Sequence, residues 1–115
     1  MPRALHVDAA TRQAAHAFID RLAGQYELAD VLLYGSRARQ THRPTSDADL
    51  AVVLRGAHGR KFDAVRFMSG IAFDVMLETG ILIQPVPLWE DEWLHPELFN
   101  NPDLIENIRK EGVRL

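Results

Sequence analysis

The chain has 115 residues, 47% of them hydrophobic and 25% charged, with no cysteine and a formal net charge of -3 at neutral pH. That length buries a core without staples, and the balance is that of a water-soluble globular protein forming one domain over residues 1–115. The absence of cysteine excludes disulfides and thiolate chemistry and accords with a cytoplasmic setting, while a mildly negative balance argues against a protein whose business is coating nucleic acid. Met1-Pro2-Arg3-Ala4-Leu5-His6 lacks the apolar run of a secretion signal, and no apolar stretch is much longer than one strand, so no membrane span is expected.

In chain order, Ala14, Ala15, Phe18, Ile19 and Leu22 recur at helical spacing between Asp8 and Tyr26. They predict an amphipathic helix with Asp8 as its N-cap and Gly24 near its end. Leu28 to Tyr34 reads as a strand that stops at Gly35-Ser36 and turns sharply into a helix at Arg37-Ala38-Arg39. A loop from Gln40 to Ser46 follows, then a second strand from Ala48 to Leu54 that ends at Gly56-Ala57-His58-Gly59. Phe62, Val65, Met68, Ile71, Ala72, Val75 and Met76 mark a longer helix from Arg60 to Thr79, with Gly80 in the capping position. Ile81 to Leu88 is a third strand, whose Pro85 and Pro87 require an edge or a bulge. Trp89 to Phe99 is aromatic and acidic without a clean period, either a flap over the core or a partner surface. Pro102, Leu104, Ile105, Ile108 and Gly112 outline a short last helix. This order predicts an α/β (α+β) fold, a small mixed β-sheet with helices packed on it.

The chemistry concentrates in two places. A strand that breaks at Gly35-Ser36 into a helix points its first free backbone N–H groups beyond the turn, where phosphate is the natural occupant. Asp47 and Asp49 open the second strand, and residues two apart on a strand project from one face with Cα atoms about 6.5 to 7 Å apart. Two such carboxylates can converge on one Mg²⁺ or on a close pair of ions. Arg37, Arg39, His42 and Arg43 add positive potential beside them, suited to a small anionic substrate, although Arg43 reads better as a solvated residue. His6, His16, His42, His58 and His95 have no zinc-ligand spacing and are expected at the surface, His42 alone lying near the site.

Gly35-Ser36, the spacer and Asp47-x-Asp49 opening an apolar strand resemble the signature of the DNA polymerase beta-like nucleotidyltransferase superfamily, and within it the small stand-alone minimal nucleotidyltransferases. The likeness is carried by residues 28–88 and extends more weakly over the whole chain. It implies the nucleotidyltransferase fold and a Mg²⁺- or Mn²⁺-dependent transfer of a nucleoside monophosphate from an NTP, ATP first among them. The hydroxyl that accepts it would belong to a protein or a small molecule. It further implies Asp47 and Asp49 as catalytic metal ligands, with Gly35, Ser36, Arg37 and Arg39 holding the nucleotide phosphates. Proteins of this kind often sit beside a helical HEPN-domain protein and serve as its antitoxin, so a HEPN partner or a second copy of the chain could supply the acceptor site.

One family feature departs. The strand after the long helix usually carries a third carboxylate, and here Gln84 occupies about that place. An amide oxygen is a poor ligand for a hard divalent ion. Three explanations follow: one-metal chemistry, a carboxylate supplied by a partner or by Glu78, or a catalytically inactive module that binds nucleotide or masks a partner.

Overall fold

The computed structural model describes residues 7–56 and 59–115; the expectations for His6, His58 and the N-terminal segment lie outside them. Helix α1 (Ala9–Leu22) begins where the sequence places it, because the Asp8 carboxylate accepts the Thr11 N–H at 3.1 Å and the Thr11 hydroxyl at 2.6 Å. Strand β1 (Leu28–Tyr34), the short helix α2 (Ser36–Arg39) and strand β2 (Ala48–Leu54) follow the sequence reading. Helix α3 (Lys61–Thr79) is closed by Gly80 at φ 81°, whose N–H reaches the Met76 carbonyl.

Strand β3 (Ile83–Trp89) starts two residues later than expected and lies at the sheet edge, pairing in parallel with β2 alone, which accommodates Pro85 and Pro87. The stretch from Trp89 is more ordered than its pattern suggests. Helix α4 (Glu90–Leu94) and a 3-10 turn at Pro96–Leu98 lead to α5 (Pro102–Glu111). Helix α4 forms because the buried Glu92 carboxylate accepts the Trp89 N–H and the Lys61 ammonium, both at 3.0 Å. Within the expected flap, Trp89 and Phe99 are buried while Leu94 and Leu98 are exposed. A two-residue strand β4 (Val113–Arg114), too short to show a period, pairs antiparallel with β1.

The four-stranded mixed sheet runs β3-β2-β1-β4, and both of its faces are covered. Leu50, Val52 and Leu54 of β2 join Val31, Leu33 and Ile83 under α1 and α3. The alternate residues Ala51 and Val53 join Leu32, Leu88, Ile105 and Ile108 under α5. Strand alternation therefore turns Asp49 toward the α5 side. Along α3 the core stripe is Ala64, Met68, Ile71, Ala72 and Val75; Phe62 and Val65, expected to share it, stand outside with Phe73 and Leu77. Among the described residues no helix is long and apolar enough to cross a membrane.

Candidate nucleotide site

The site forms where β1 ends. Antiparallel pairing sets Tyr34 opposite Asp49, so the turn at Gly35 falls directly beside the Asp49 side chain. Gly35 adopts φ 77° and ψ -156°, a conformation essentially restricted to glycine. A Cβ on it would lie 2.3 Å from an Asp49 carboxylate oxygen. Both the backbone and the contact demand glycine here, and the Gly-Ser turn meets Asp49, from which the sequence separates it. Ser36 and Arg37 open α2, so helix geometry leaves their N–H groups without intrahelical acceptors.

Asp47 is exposed at the entrance to β2, and its carboxylate accepts the Gln84 side-chain amide at 3.0 Å. Gln84 stands opposite Asp49 in the parallel β2–β3 register, on the strand where the family resemblance leads one to expect a third acid. The proton affinity of Asp49 is raised, first by burial and then by the negative charges of Asp47 and Glu111, with Arg39 opposing. The Tyr34 phenol beneath is pushed up to about 12 by burial, Asp49 and Glu111.

Glu111 is the site residue that the sequence did not reveal. From the last position of α5 its carboxylate accepts the Gly35 N–H at 2.9 Å and holds the Arg39 guanidinium at 3.1 and 3.0 Å. An acid at a helix C-terminus opposes the helix dipole, and that misfit was the one local sign that it has a distant partner.

Two expected site residues face elsewhere. Arg37 is 2% exposed, and its guanidinium is spent on the loop after α2. It donates to the Ser46 carbonyl at 3.0 and 2.8 Å, to the Pro44 carbonyl at 3.2 Å, to the Arg43 carbonyl at 3.4 Å and to the Thr11 hydroxyl at 2.8 Å. Arg37 thus pins the loop that delivers Asp47. His42 goes with it, lying 3.4 Å from the Asp8 carboxylate beside the start of α1. Glu78, weighed above as a substitute acid, pairs with Arg21 on the outer surface, and Glu90 accepts the Gly56 N–H at 2.6 Å.

The sequence pattern of the nucleotidyltransferase domain family matches residues 15–114. The chain belongs to that family. A crystal structure from Sulfolobus solfataricus, described as that of a candidate nucleotidyltransferase, superposes with a TM-score of 0.55 at 22% identity, over 93% of this chain and 86% of that one. That likeness shows the shared α+β fold. No curated protein matches the chain. Nucleotidyl transfer is thus the general chemistry of this nucleotidyltransferase domain, and members of its family generally use NTPs and divalent metals.

Whether the residues present fit such a metal turns on Asp47 and Asp49. Among the described residues no set of three or more His, Cys, Asp or Glu side chains is grouped for an ion. Two carboxylates close enough for one to raise the other's proton affinity do fit a single divalent cation, because Mg²⁺ usually takes one or two protein carboxylates and fills its shell with water and substrate phosphate.

Proposed function

We propose that the chain is a divalent-metal-dependent nucleotidyltransferase that binds an NTP, ATP first among them, across the Gly35-Ser36 turn. The observation that supports this best is the Asp49 carboxylate packed on Gly35, with Asp47 two residues before it. Asp47 and Asp49 would hold Mg²⁺ or Mn²⁺, which when bound neutralises phosphate charge and lowers the pKa of a hydroxyl nucleophile. Gly35 lets a phosphate approach the backbone, and Ser36 offers its N–H and hydroxyl to the β- or γ-phosphate. Arg39 is the cation at hand, and a phosphate must compete with Glu111 for it and for the Gly35 N–H. In the transfer, the acceptor oxygen bonds to the α-phosphorus, the bond to the β-phosphate bridge breaks, pyrophosphate leaves and the hydroxyl proton passes to solvent.

The acceptor hydroxyl belongs, in this reading, to a protein partner, and the family resemblance makes a helical HEPN-domain protein in a toxin–antitoxin pair the first to try. A second reading has support from Gln84: with an amide bonded to Asp47 where an acid is expected, the site binds nucleotide without turning it over. Label from α-labelled ATP, offered with Mg²⁺ or Mn²⁺ to the chain co-purified with the product of its neighbouring gene, tests both. Label on the partner that disappears in Asp47→Asn and Asp49→Asn supports the enzyme. Nucleotide binding with neither labelled partner nor released pyrophosphate supports the second reading.

A further inference from the structure

Helix α3 carries two apolar stripes, and only one of them meets the core. On the outer stripe Phe62 is 71% exposed, Phe73 54% and Leu77 68%. Solvated single apolar residues are common, but three large apolar side chains exposed along one side of a single helix are the mark of a surface that meets another. At its middle lies Gly70, where an added Cβ would find nothing within 4 Å. Glycine in a helix interior costs about 1 kcal/mol against alanine, so an open glycine there calls for a reason outside the chain's own packing.

The charges on this face are distributed by half. A shallow groove is lined by Arg66, Phe67, Gly70, Ile71, Phe73 and Asp74. Counted outward from Gly70, Arg66 mirrors Asp74 and Phe67 mirrors Phe73. Arg66 lies over the Phe62 ring at 5.8 Å, and neither Arg66 nor Asp74 forms an ion pair with another described residue. The remaining charges on this side, Asp63 and Glu78, are taken by Arg60 at 3.6 Å and by Arg21. A surface whose basic and acidic halves mirror each other about one small residue is complementary to its own copy turned end for end, as an isologous two-fold contact requires.

We infer that a second copy of this chain docks on this face, the two α3 helices crossing antiparallel at Gly70. Arg66 then meets the partner's Asp74, Asp74 meets the partner's Arg66, and each Phe73 enters the groove beside the partner's Phe67. Gly70 on both helices lets the backbones approach. A helix of this length offers roughly 500 Å² per protomer, below the roughly 800 Å² of a standard interface, which places the contact among weak, reversible ones. This inference does not rest on the nucleotide reading, since α3 packs its other stripe against the sheet and contributes nothing to the Gly35 turn.

Sedimentation equilibrium of the full chain from about 1 to 500 μM tests it, with far-UV circular dichroism confirming that each variant folds. The expected result is a monomer–dimer equilibrium that Phe73→Asp abolishes. Arg66→Asp or Asp74→Arg alone weakens the dimer about ten-fold, each change acting twice across the two-fold axis, and the double swap restores it. A monomer at every concentration overturns the inference, including the case in which the same face then captures a different protein. So does a dimer that ignores Phe73→Asp, or one that the double swap leaves broken. Leu77→Glu, at a second exposed position, serves if Phe73→Asp fails to fold.

Discussion

Gly35 and Gly80 both hold positive φ, at 77° and 81°, but only Gly35 has a neighbour where a Cβ would go. Substituting each by alanine separates backbone strain from contact. Gly80→Ala places alanine in ordinary left-handed helical space with nothing within 4 Å, at a cost of about 1–2 kcal/mol. Gly35→Ala forces a glycine-only conformation, about 1–3 kcal/mol, and drives the Asp49 side chain off its rotamer for about 1 kcal/mol more, since its carboxylate oxygen must retreat from 2.3 Å. The sum is about 2–4 kcal/mol, roughly twice the Gly80→Ala cost. For a chain of this size each kcal/mol lowers Tm by about 3–6 °C, so the two variants melt about 3–12 °C apart. Urea unfolding at unchanged slope, followed with and without Mg²⁺, is the assay. Wild type and Gly80→Ala gain stability from Mg²⁺ while Gly35→Ala does not, because a ligand stabilises only the state that binds it. Equal losses for the two variants, or an intact Mg²⁺ response in Gly35→Ala, would refute the packing of Asp49 on Gly35 as the basis of the site.

Asp49 has its folded proton affinity raised by burial, Asp47 and Glu111, so the folded state keeps a proton that the unfolded chain gives up above 3.8. Stability therefore falls as pH climbs through the window above 3.8 and stays reduced beyond it; Asp49→Asn should melt higher than wild type at pH 7 with a flatter pH profile, and a lower Tm at pH 7 would contradict this. Arg37→Met leaves the carbonyls of Ser46 and Pro44 and the Thr11 hydroxyl without their donor, and should cost about 2–4 kcal/mol in urea unfolding. A loss below about 0.5 kcal/mol would mean that Arg37 does not pin the loop. Glu111→Gln removes a negative charge from the Gly35 N–H and Arg39, so ATP binding without divalent ions should tighten several-fold by fluorescence titration; unchanged or weaker binding counts against competition with phosphate. Gln84→Glu places a third acid beside Asp47, and Mg²⁺ affinity should rise about ten-fold by calorimetry, whereas no change would locate the third ligand elsewhere or make it unnecessary.

What could be read from the sequence was what local chemistry decides. Asp8 caps α1 through a residue three positions on, Gly80 ends α3 by its own φ, and the β1 and β2 runs keep their predicted bounds. The turn and the aspartates were recognisable because their order along the strands encodes their meeting. The burial of Arg37 was not legible for the opposite reason. At the second position of a short helix an arginine can turn to either side, and the carbonyls of Arg43, Pro44 and Ser46 that draw it inward belong to the tertiary path of the loop. Glu111 reaches Gly35 from 76 residues away, beyond any local pattern. On α3, two apolar stripes compete for the core, and nothing in the periodicity says that Met68 and Ile71 win over Phe62 and Val65.

The Gly35 turn and the Asp47–Asp49 pair are proposed to form a metal-dependent nucleotide site. Isothermal titration of the chain with a non-hydrolysable ATP analogue, with Mg²⁺ and with EDTA, tests it most directly when the same titrations are run on Asp47→Asn and Asp49→Asn. The expected result is saturable binding in Mg²⁺ that weakens at least ten-fold in EDTA and in either variant. Binding that is absent under all conditions, or that both substitutions leave unchanged, would contradict it.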